Sequence, residues 1–386
     1  MRRYIGACVL AMVALMAAAS PATAATGNTT SIWGTMFSAP TTASQVSPTT
    51  ITLPGTVAQV GTSNSTEYAL LTNGQVWAWG IGTSGQLGDG STANSFTTPV
   101  QVLFPAGVTI ASLPIDAMGY NAADAIDTNG NVWGWGYTKP GELCSHGSTL
   151  EDLIPVELPI SNVTLMAGAS GHTIFDSNGS LYACGFYQFG AMGTGKQAAA
   201  YTPTPVVGMQ NADVVSLAAS SVDSYALLAN GQVWAWGSNA QDQLGNATTA
   251  ATSDVPVQVK FSDTSPAVQL SAGGDTTANG SALVMLADGT YWSWGSGGSG
   301  QLDNPTGSVA NQTTPIEFYP PIPYTIIDCG GATGYGVTAT GAVYSWGNGT
   351  RDGIGNGLKV NEMKPVEVIS GGETMISATA QNVEVA

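Results

Sequence analysis

The sequence predicts an all-β fold, a seven-bladed β-propeller whose blades each have four antiparallel strands. Its main support is one phrase that recurs every 46 to 58 residues along the 386-residue chain: an Asn-Gly or Asp-Gly turn, then a short apolar strand ending in Trp-Gly. Strand-built repeats of about 50 residues are typical of propellers. The chain also holds 50 glycines and 20 prolines, which is typical of many short strands joined by tight turns.

The recurring phrase is predicted to be the third strand of each repeat, and it contains all ten tryptophans. It reads NGQVWAWG at 73–80 and 230–237, and a degenerate copy, TGNTTSIWG, lies at 26–34. We expect the last two residues of each of the seven copies to be structural blade residues. These are Trp33, Gly34, Trp79, Gly80, Trp135, Gly136, Cys184, Gly185, Trp236, Gly237, Trp294, Gly295, Trp346 and Gly347.

The tryptophans are predicted to form contacts between blades. Trp234 and Trp236 are two residues apart and point to the same face of a strand, while the intervening Ala235 is small. One face of each third strand is therefore bulky and the other nearly flat. We expect the bulky face of one blade to pack on the flat face of its neighbour. A sugar-binding aromatic platform is disfavoured, because the tryptophans lie within strands rather than on loops.

Residues 211–260 illustrate one complete repeat. The pattern predicts strands at Val214–Ala219, Ser224–Leu228, Gln232–Trp236 and Pro256–Val259. Asn230-Gly231 provides the positive φ angles of a two-residue hairpin turn between the second and third strands. Four strands per repeat match a propeller blade.

The two ends of the chain are predicted to complete one blade together. Residues 373–386 match the first two strands of a repeat and stop before its turn, while residues 27–34 match a third strand. Pairing them would close the ring, which removes the exposed sheet edges that an open array would leave.

Three sub-motifs recur in order and carry a family resemblance. After each Trp-Gly comes a segment such as Gly85-Gln86-Leu87-Gly88, and after that a proline-led strand. The sequence from about 27 to 386 thus resembles the RCC1-type (regulator of chromosome condensation) seven-bladed propellers. The family often has Gly-His before its second strand, and here only Gly171-His172 keeps that pair.

Composition indicates an exported, acidic protein. Residues 1–24 read as a secretory signal peptide, with Arg2 and Arg3 before an apolar run and a small-residue cleavage site. We therefore expect a single domain over 25–386, secreted or periplasmic, without membrane insertion after cleavage, and monomeric. Cleavage takes the net charge from −17 to −19. The remaining basic residues are scattered, which disfavours binding to nucleic acid.

Three cysteines remain after cleavage: Cys144, Cys184 and Cys329. An exported protein could form one disulfide from them and leave one thiol. The favoured alternative is that Cys184 and Cys329 are small buried apolar residues on repeat strands. Their spacing does not match a zinc site.

No motif indicates catalysis or a cofactor. Two GxGxxG matches, which begin at Gly80 and Gly295, follow Trp-Gly and lead into loops instead of a helix, so they do not match a nucleotide site. His172 is interpreted as a structural histidine, and the Cys144/His146 pair is only a weak candidate for a reactive site.

The acidic residues leave two kinds of site open. The carboxylates Glu142, Glu151, Asp152 and Asp176 are dispersed, so the sequence does not show whether any two face each other as a glycosidase requires. The segment from Asn348 to Gly353 resembles the start of a calcium loop, but its twelfth position is Lys359 instead of glutamate, so weak calcium binding is left open.

The expected function is therefore a non-catalytic binding or scaffold module. Its loops on one face would contact a protein or a cell-surface ligand. The alternatives are a secreted glycan hydrolase or lyase, or a proteinaceous inhibitor of a hydrolase. The family resemblance also implies guanine-nucleotide exchange, which an exported protein is not expected to perform.

Overall fold

The computed structural model describes residues 27–34, 45–63, 66–114, 122–137, 144, 151–169, 171–185, 188–274, 280–350, 352–378 and 382–386. Within these ranges the strands form seven antiparallel sheets of four strands each. The prediction of an all-β, seven-bladed propeller is confirmed. No helix in the described part of the chain is both long enough and apolar enough to cross a membrane.

Six blades follow one another along the chain, each counted from its first to its fourth strand. The first two blades contain β3 Val57–Thr62, β4 Thr66–Leu71, β5 Val76–Gly80 and β6 Ser95–Gln101, then β7 Ile110–Ser112, β8 Ala122–Asp127, β9 Val132–Tyr137 and β10 Glu151–Glu157. The third and fourth contain β11 Val163–Ala169, β12 His172–Ser177, β13 Ser180–Gly185 and β14 Ala200–Gln210, then β15 Val214–Ala219, β16 Asp223–Leu228, β17 Val233–Ser238 and β18 Thr252–Gln258. The fifth and sixth contain β19 Ala267–Gly273, β20 Ser281–Leu286, β21 Tyr291–Gly295 and β22 Gln312–Phe318, then β23 Tyr324–Gly330, β24 Thr333–Thr338, β25 Val343–Gly347 and β26 Glu362–Ile369. A single 3₁₀ turn, Gln188–Gly190, precedes β14.

The closing blade is assembled from both ends of the chain. Its order is β27 (Ile376–Ala378), β28 (Asn382–Val385), β1 (Thr29–Gly34) and β2 (Gln45–Thr52). The junction between the ends is the antiparallel pairing of β1 with β28, from Ser31 opposite Val385 to Gly34 opposite Asn382. The predicted closure through the termini is therefore present, and it depends on four residue pairs.

The repeat at 211–260 shows where the predicted strands were right and where they were wrong. β15 matches the prediction, and Gly231 has a φ of 81° in the hairpin turn. The fourth strand begins at Thr252 rather than at Pro256. Its register on β17 shifts between Ala235 and Gly237, which leaves Pro256 at the irregularity. Because β18 is also the outer edge of its sheet, the missing N–H of proline removes no ladder bond.

The core consists of separate clusters at the joints between blades. At the joint of the fourth and fifth blades, Trp292 and Trp294 lie in one cluster with Tyr225, Ala235 and Leu244 of the preceding blade. The bulky face of one third strand thus packs on the flat face of the preceding sheet in the ring. Each buried aromatic ring contributes about 1.5–3 kcal/mol by burial alone.

Candidate functional site

The loops at one end of the blades form the candidate binding surface. In the first blade Thr66, where the second strand begins, pairs with Gly80, where the third strand ends. The first-to-second-strand loop and the loop after Trp-Gly therefore leave from the same end, and the Asn-Gly turns lie at the other. We call these two ends the loop face and the turn face.

Each loop after Trp-Gly is anchored by its own blade and by the next one. The carbonyl of Gln86 accepts hydrogen bonds from the Tyr68 hydroxyl at 2.7 Å and from Nε1 of Trp135, in the second blade, at 2.9 Å. The Gln86 side chain accepts the N–H of Ser84 at 2.7 Å. Tyrosine and tryptophan thus fix one loop carbonyl from both sides of the joint.

The same anchor recurs around the ring. Indole Nε1 groups of other blades donate to loop carbonyls of the preceding blade at 2.8–3.0 Å: Trp236 to Ala191, Trp294 to Gln243, Trp346 to Gln301 and Trp33 to Gly353. Tyr225 and Tyr335 donate to the carbonyls of Gln243 and Gly353. The repeat pattern predicts packing roles for the tryptophans but not the role of these tyrosines, which recur at one position of the second strand.

The fourth residue of the GQLG segment packs directly on the next blade's tryptophan. A Cβ on Gly88 would lie 2.9 Å from Nε1 of Trp135, and a Cβ on Gly245 would lie 2.7 Å from Nε1 of Trp294. Both glycines have positive φ, 65° and 59°. Glycine is therefore required here by its backbone conformation and by the close approach of the indole ring.

The joint between the second and third blades uses a disulfide at this position. Cys144 is the fourth residue of the GELC segment and Cys184 stands where other blades have tryptophan; the two are bonded, with Cα atoms 5.4 Å apart. The interpretation of Cys184 as a small buried apolar residue was wrong, because Cys184 is disulfide-bonded. Cys329 is buried outside this disulfide, and its Sγ lies 3.4 Å from the Ser281 hydroxyl. The replacement of both the glycine and the tryptophan by cysteines is a sequence pattern that could have identified the pair.

Two lysines neutralise buried aspartates beneath the loops of the fifth and sixth blades. Nζ of Lys364 lies 2.7 Å from Asp303, and Nζ of Lys359 lies 3.2 Å from Asp352; both aspartate side chains are fully buried and both lysines are more than half exposed. Burial raises the pKa of Asp303, and the hydrogen bond and charge of Lys364 oppose that rise.

The calcium-like segment therefore has a different local chemistry. The residue at its twelfth position, Lys359, pairs with Asp352. The side-chain oxygen of Asn348 accepts the N–H and the hydroxyl of Thr350 at 2.8 and 2.6 Å. Among the described residues, no group of three or more His, Cys, Asp or Glu side chains is arranged to hold a metal ion.

Two other buried aspartates near the loop face have no ion pair with a lysine among the described residues. Burial raises the pKa of Asp124, on β8, to about 7. Burial also raises the pKa of Asp223, on β16, to about 8, although hydrogen bonds from Ser220 and Ser238 oppose the rise. Both carboxyls are nearly inaccessible to solvent. They are buried polar groups inside joints rather than exposed acids.

The candidate catalytic residues do not converge in the described structure. His172 is buried, its Nε2 lies 2.7 Å from the Ser224 hydroxyl, and burial lowers its pKa to about 4. A structural histidine is confirmed. Asp152 pairs with Gly136 at the loop end of the second blade, whereas Asp176 pairs with Leu181 near the turn end of the third. Glu151 is exposed next to Asp152. Glu142 and His146 lie outside the described residues.

Comparisons with known proteins agree with this architecture. The model of the regulator of chromosome condensation (RCC1) repeat matches residues 73–113 and 230–278. The ultraviolet-B receptor UVR8 of Arabidopsis thaliana is 28% identical over 250 residues, which are 64% of this chain and 54% of that protein. The chain thus spans about half the length of this relative.

The mitochondrial RCC1 domain-containing protein RUG3 of Arabidopsis thaliana is also 28% identical, over 78% of this chain and 67% of its own length. Two solved structures have the same fold. Human WBSCR16 superimposes with a TM-score of 0.81 at 19% identity, over 93% of this chain and 99% of its own. Prp20p of Saccharomyces cerevisiae superimposes with a TM-score of 0.80 at 20% identity, over 96% and 94%.

Proposed function

Because this chain belongs to the RCC1-type propeller family, we propose that it is a non-catalytic scaffold that binds a protein or a cell-surface ligand through its loop face. The observation that carries the proposal is the repeated anchor, in which loop carbonyls accept hydrogen bonds from a tyrosine and from the next blade's tryptophan. Loops fixed in this way lose little conformational entropy on binding, which favours affinity. The family relative Prp20p was described with its binding properties to Gsp1p and histones.

Export is part of the proposal and is supported by two observations. Residues 1–24 have the pattern of a signal peptide. The disulfide between Cys144 and Cys184 replaces a packing contact at one joint, and such bonds persist in oxidising compartments. A mature, exported protein with a net charge of −19 would meet envelope or extracellular partners instead of cytoplasmic GTPases or nucleic acid.

The loop face can be tested against the turn face. Val309, Leu358 and Val360 are exposed apolar residues on loops after Trp-Gly. Asn230 and Asp288 are exposed in hairpin turns at the opposite end. A loop-face variant, V309E/L358E, and a turn-face control, N230K/D288K, would be compared with the wild type as immobilised mature protein incubated with the host's own envelope fraction and medium.

We expect the wild type and the turn-face control to retain the same partner, and the loop-face variant to lose it. Retention by the loop-face variant together with loss by the control would reverse the assignment of faces. Catalytic turnover of an envelope glycan or protein by the wild type would contradict a non-catalytic scaffold, and potent inhibition of a secreted hydrolase would select the inhibitor alternative.

A further inference from the structure

The joint between the closing blade and the first blade contains two facing glutamates. Glu384 lies on β28 and Glu67 on β4, and both side chains are fully buried. The two carboxyl groups lie within hydrogen-bonding reach of each other, and Thr30 of β1 lies beside Glu384. Next to them the inner strands are joined by Ser377, whose hydroxyl accepts the N–H of Thr62 at 3.1 Å. This glutamate pair therefore lies where both ends of the chain meet the first complete blade.

Tyrosine occupies the position of Glu384 in the first, fourth and sixth blades, whereas Asp124 occupies it in the second. Glu384 stands opposite Ile32 of the third strand, as Tyr68 stands opposite Ala78 and Tyr225 opposite Ala235. Glu67 stands opposite Trp79, where the fifth blade has Ala282 opposite Trp294. Two carboxyl groups thus occupy space that a tyrosine ring and a small side chain occupy elsewhere.

The described strands around the glutamate pair offer no basic side chain to neutralise it, which leaves protonation. The strands packed around the pair, β27, β28 and β1 to β6, contain no Lys, Arg or His in their described residues. The sequence has no basic residue between Arg3 and Lys139, and none after Lys364. The buried Asp303 and Asp352, in contrast, each have a lysine within 3.2 Å.

The titratable neighbours of the pair also favour its protonated form. On the same strand as Glu67, the Tyr68 phenol is fully buried, and burial raises its pKa. Asp124, on β8 beyond Tyr68, is the next buried acid. Burial, and then the charge of Glu67, raise the pKa of Glu384 well above its ordinary value, although the neighbouring Thr30 hydroxyl opposes the rise. Each of these neighbours is neutral or negative, so none stabilises an ionised pair.

We propose that Glu67 and Glu384 form a proton-operated latch that holds the ring closed in acid and releases the C-terminal hairpin β27–β28 as the pH rises. In the closed state the pair keeps at least one proton, shared in the hydrogen bond between the two carboxyls. When that proton passes to water, two negative charges face each other in a dry joint. The four residue pairs between β28 and β1 are the contact that yields.

The direction and size of the effect follow from linkage. A glutamate that becomes solvated when the hairpin leaves titrates near pH 4.3, whereas the closed pair binds its proton more tightly. Above that pH, the open state therefore releases a proton that the closed state keeps. The opening constant rises about tenfold per pH unit for one such proton, until the closed pair also ionises. The latch is tightest in acid, and alkali loosens it.

Amide hydrogen exchange on the mature protein tests the latch. Peptides from 27–34 and 374–386 report opening of the closing blade, and a peptide from 281–295 of the fifth blade, which has no buried carboxyl with a raised pKa, is the internal reference. Between about pH 5 and about pH 8, after correction for the intrinsic exchange rate, we expect the closing-blade peptides to lose protection by at least about tenfold more than the reference.

The matched variants are E67Q/E384Q, which keeps two neutral hydrogen-bonding side chains in the joint, and E157Q, which changes an exposed glutamate on β10. The double variant should make protection of 27–34 and 374–386 independent of pH, while E157Q should behave as the wild type. Uniform loss of protection over all blades in the wild type, or an unchanged pH dependence in a folded double variant, would overturn the proposal. The wild-type comparison decides even if the double variant does not fold.

Discussion

Replacing Gly245 by alanine tests the contact between a loop glycine and the next blade's tryptophan. The new Cβ would lie 2.7 Å from Nε1 and 2.8 Å from Cδ1 of Trp294. Gly245 also has a φ of 59°, a left-handed conformation that costs alanine about 1–2 kcal/mol. Overpacking a joint costs about 1–3 kcal/mol. We therefore expect G245A to lower the free energy of unfolding by about 2–5 kcal/mol.

The control is Gly289→Ala, in the hairpin turn of the fifth blade. Gly289 has a φ of 86°, and a Cβ there would have no atom within 4 Å. This variant carries the backbone cost without the clash, so it should lose only about 1–2 kcal/mol. Denaturant unfolding of both mature variants, followed by tryptophan fluorescence, measures the difference.

A third variant tests whether the new Cβ clashes with the indole ring of Trp294. W294A removes the whole indole ring, including the Nε1 group that donates to the Gln243 carbonyl at 2.8 Å and the ring atoms nearest to Gly245. In that background, G245A should cost about as little as G289A does, because the clash is gone. Equal losses for G245A and G289A in the wild-type background would refute the contact.

Four further predictions concern closure, the disulfide, the buried charges and pH. Deleting residues 25–40 removes β1, so we expect a lower melting temperature and aggregation in size-exclusion chromatography; unchanged melting would contradict closure through β1. C144A/C184A removes a disulfide between residues that are 40 apart in sequence, which should lower the free energy of unfolding by about 4 kcal/mol. Reductant should produce the same loss of stability in the wild type and none in the variant. K364M leaves Asp303 buried without its cation and should lower the free energy of unfolding by about 3–5 kcal/mol. K364M/D303G, which has the glycine of other repeats at 303, should recover most of that stability in thermal melts. No recovery would contradict the pairing. The raised pKa values of Asp124 and Asp223, about 7 and about 8, make the free energy of unfolding fall as pH rises from about 4. The lowered pKa of His172, about 4, offsets one of these two slopes up to about pH 6.5. D124N/D223N should flatten the fall, and an unchanged pH profile of stability would contradict these assignments.

The fold could be predicted from the sequence because the information for it is local. An Asn-Gly pair such as Asn230-Gly231 determines where a hairpin turns, and the next five residues alternate between bulky and small side chains. Each repeat contains its own copy of this turn and side-chain pattern, so seven copies predict seven sheets. The start of β18 at Thr252 was missed because the proline that marks the strand lies at a register shift inside it.

The contacts that anchor the loops were not predictable in the same way, because they join residues of different repeats. Trp33 donates to Gly353 across 320 residues, and Lys364 reaches Asp303 across 61. No spacing within one repeat indicates which carbonyl an indole meets or which aspartate a lysine neutralises. Only the packing of neighbouring blades, and for Trp33 the closure of the ring, places these groups side by side.

The departures from the repeat are informative because they occur in pairs across joints. A glycine and a tryptophan become Cys144 and Cys184, and a loop glycine becomes Asp303 together with Lys364 of the next blade. Each pair restores what the change removed: a covalent bond replaces packing, and a cation neutralises a carboxylate.

In the latch proposed above, Glu67 and Glu384 are a third such pair, at the joint that closes the ring, and there the compensating partner is a proton. A disulfide and a lysine are insensitive to moderate changes of pH, whereas a proton shared by two carboxyls is not. If departures are retained where they are compensated, the joint that depends on a proton is suited to an acidic environment. The stability of this ring should therefore be set by the pH around it more strongly at the closing blade than at any joint held by a lysine or a disulfide.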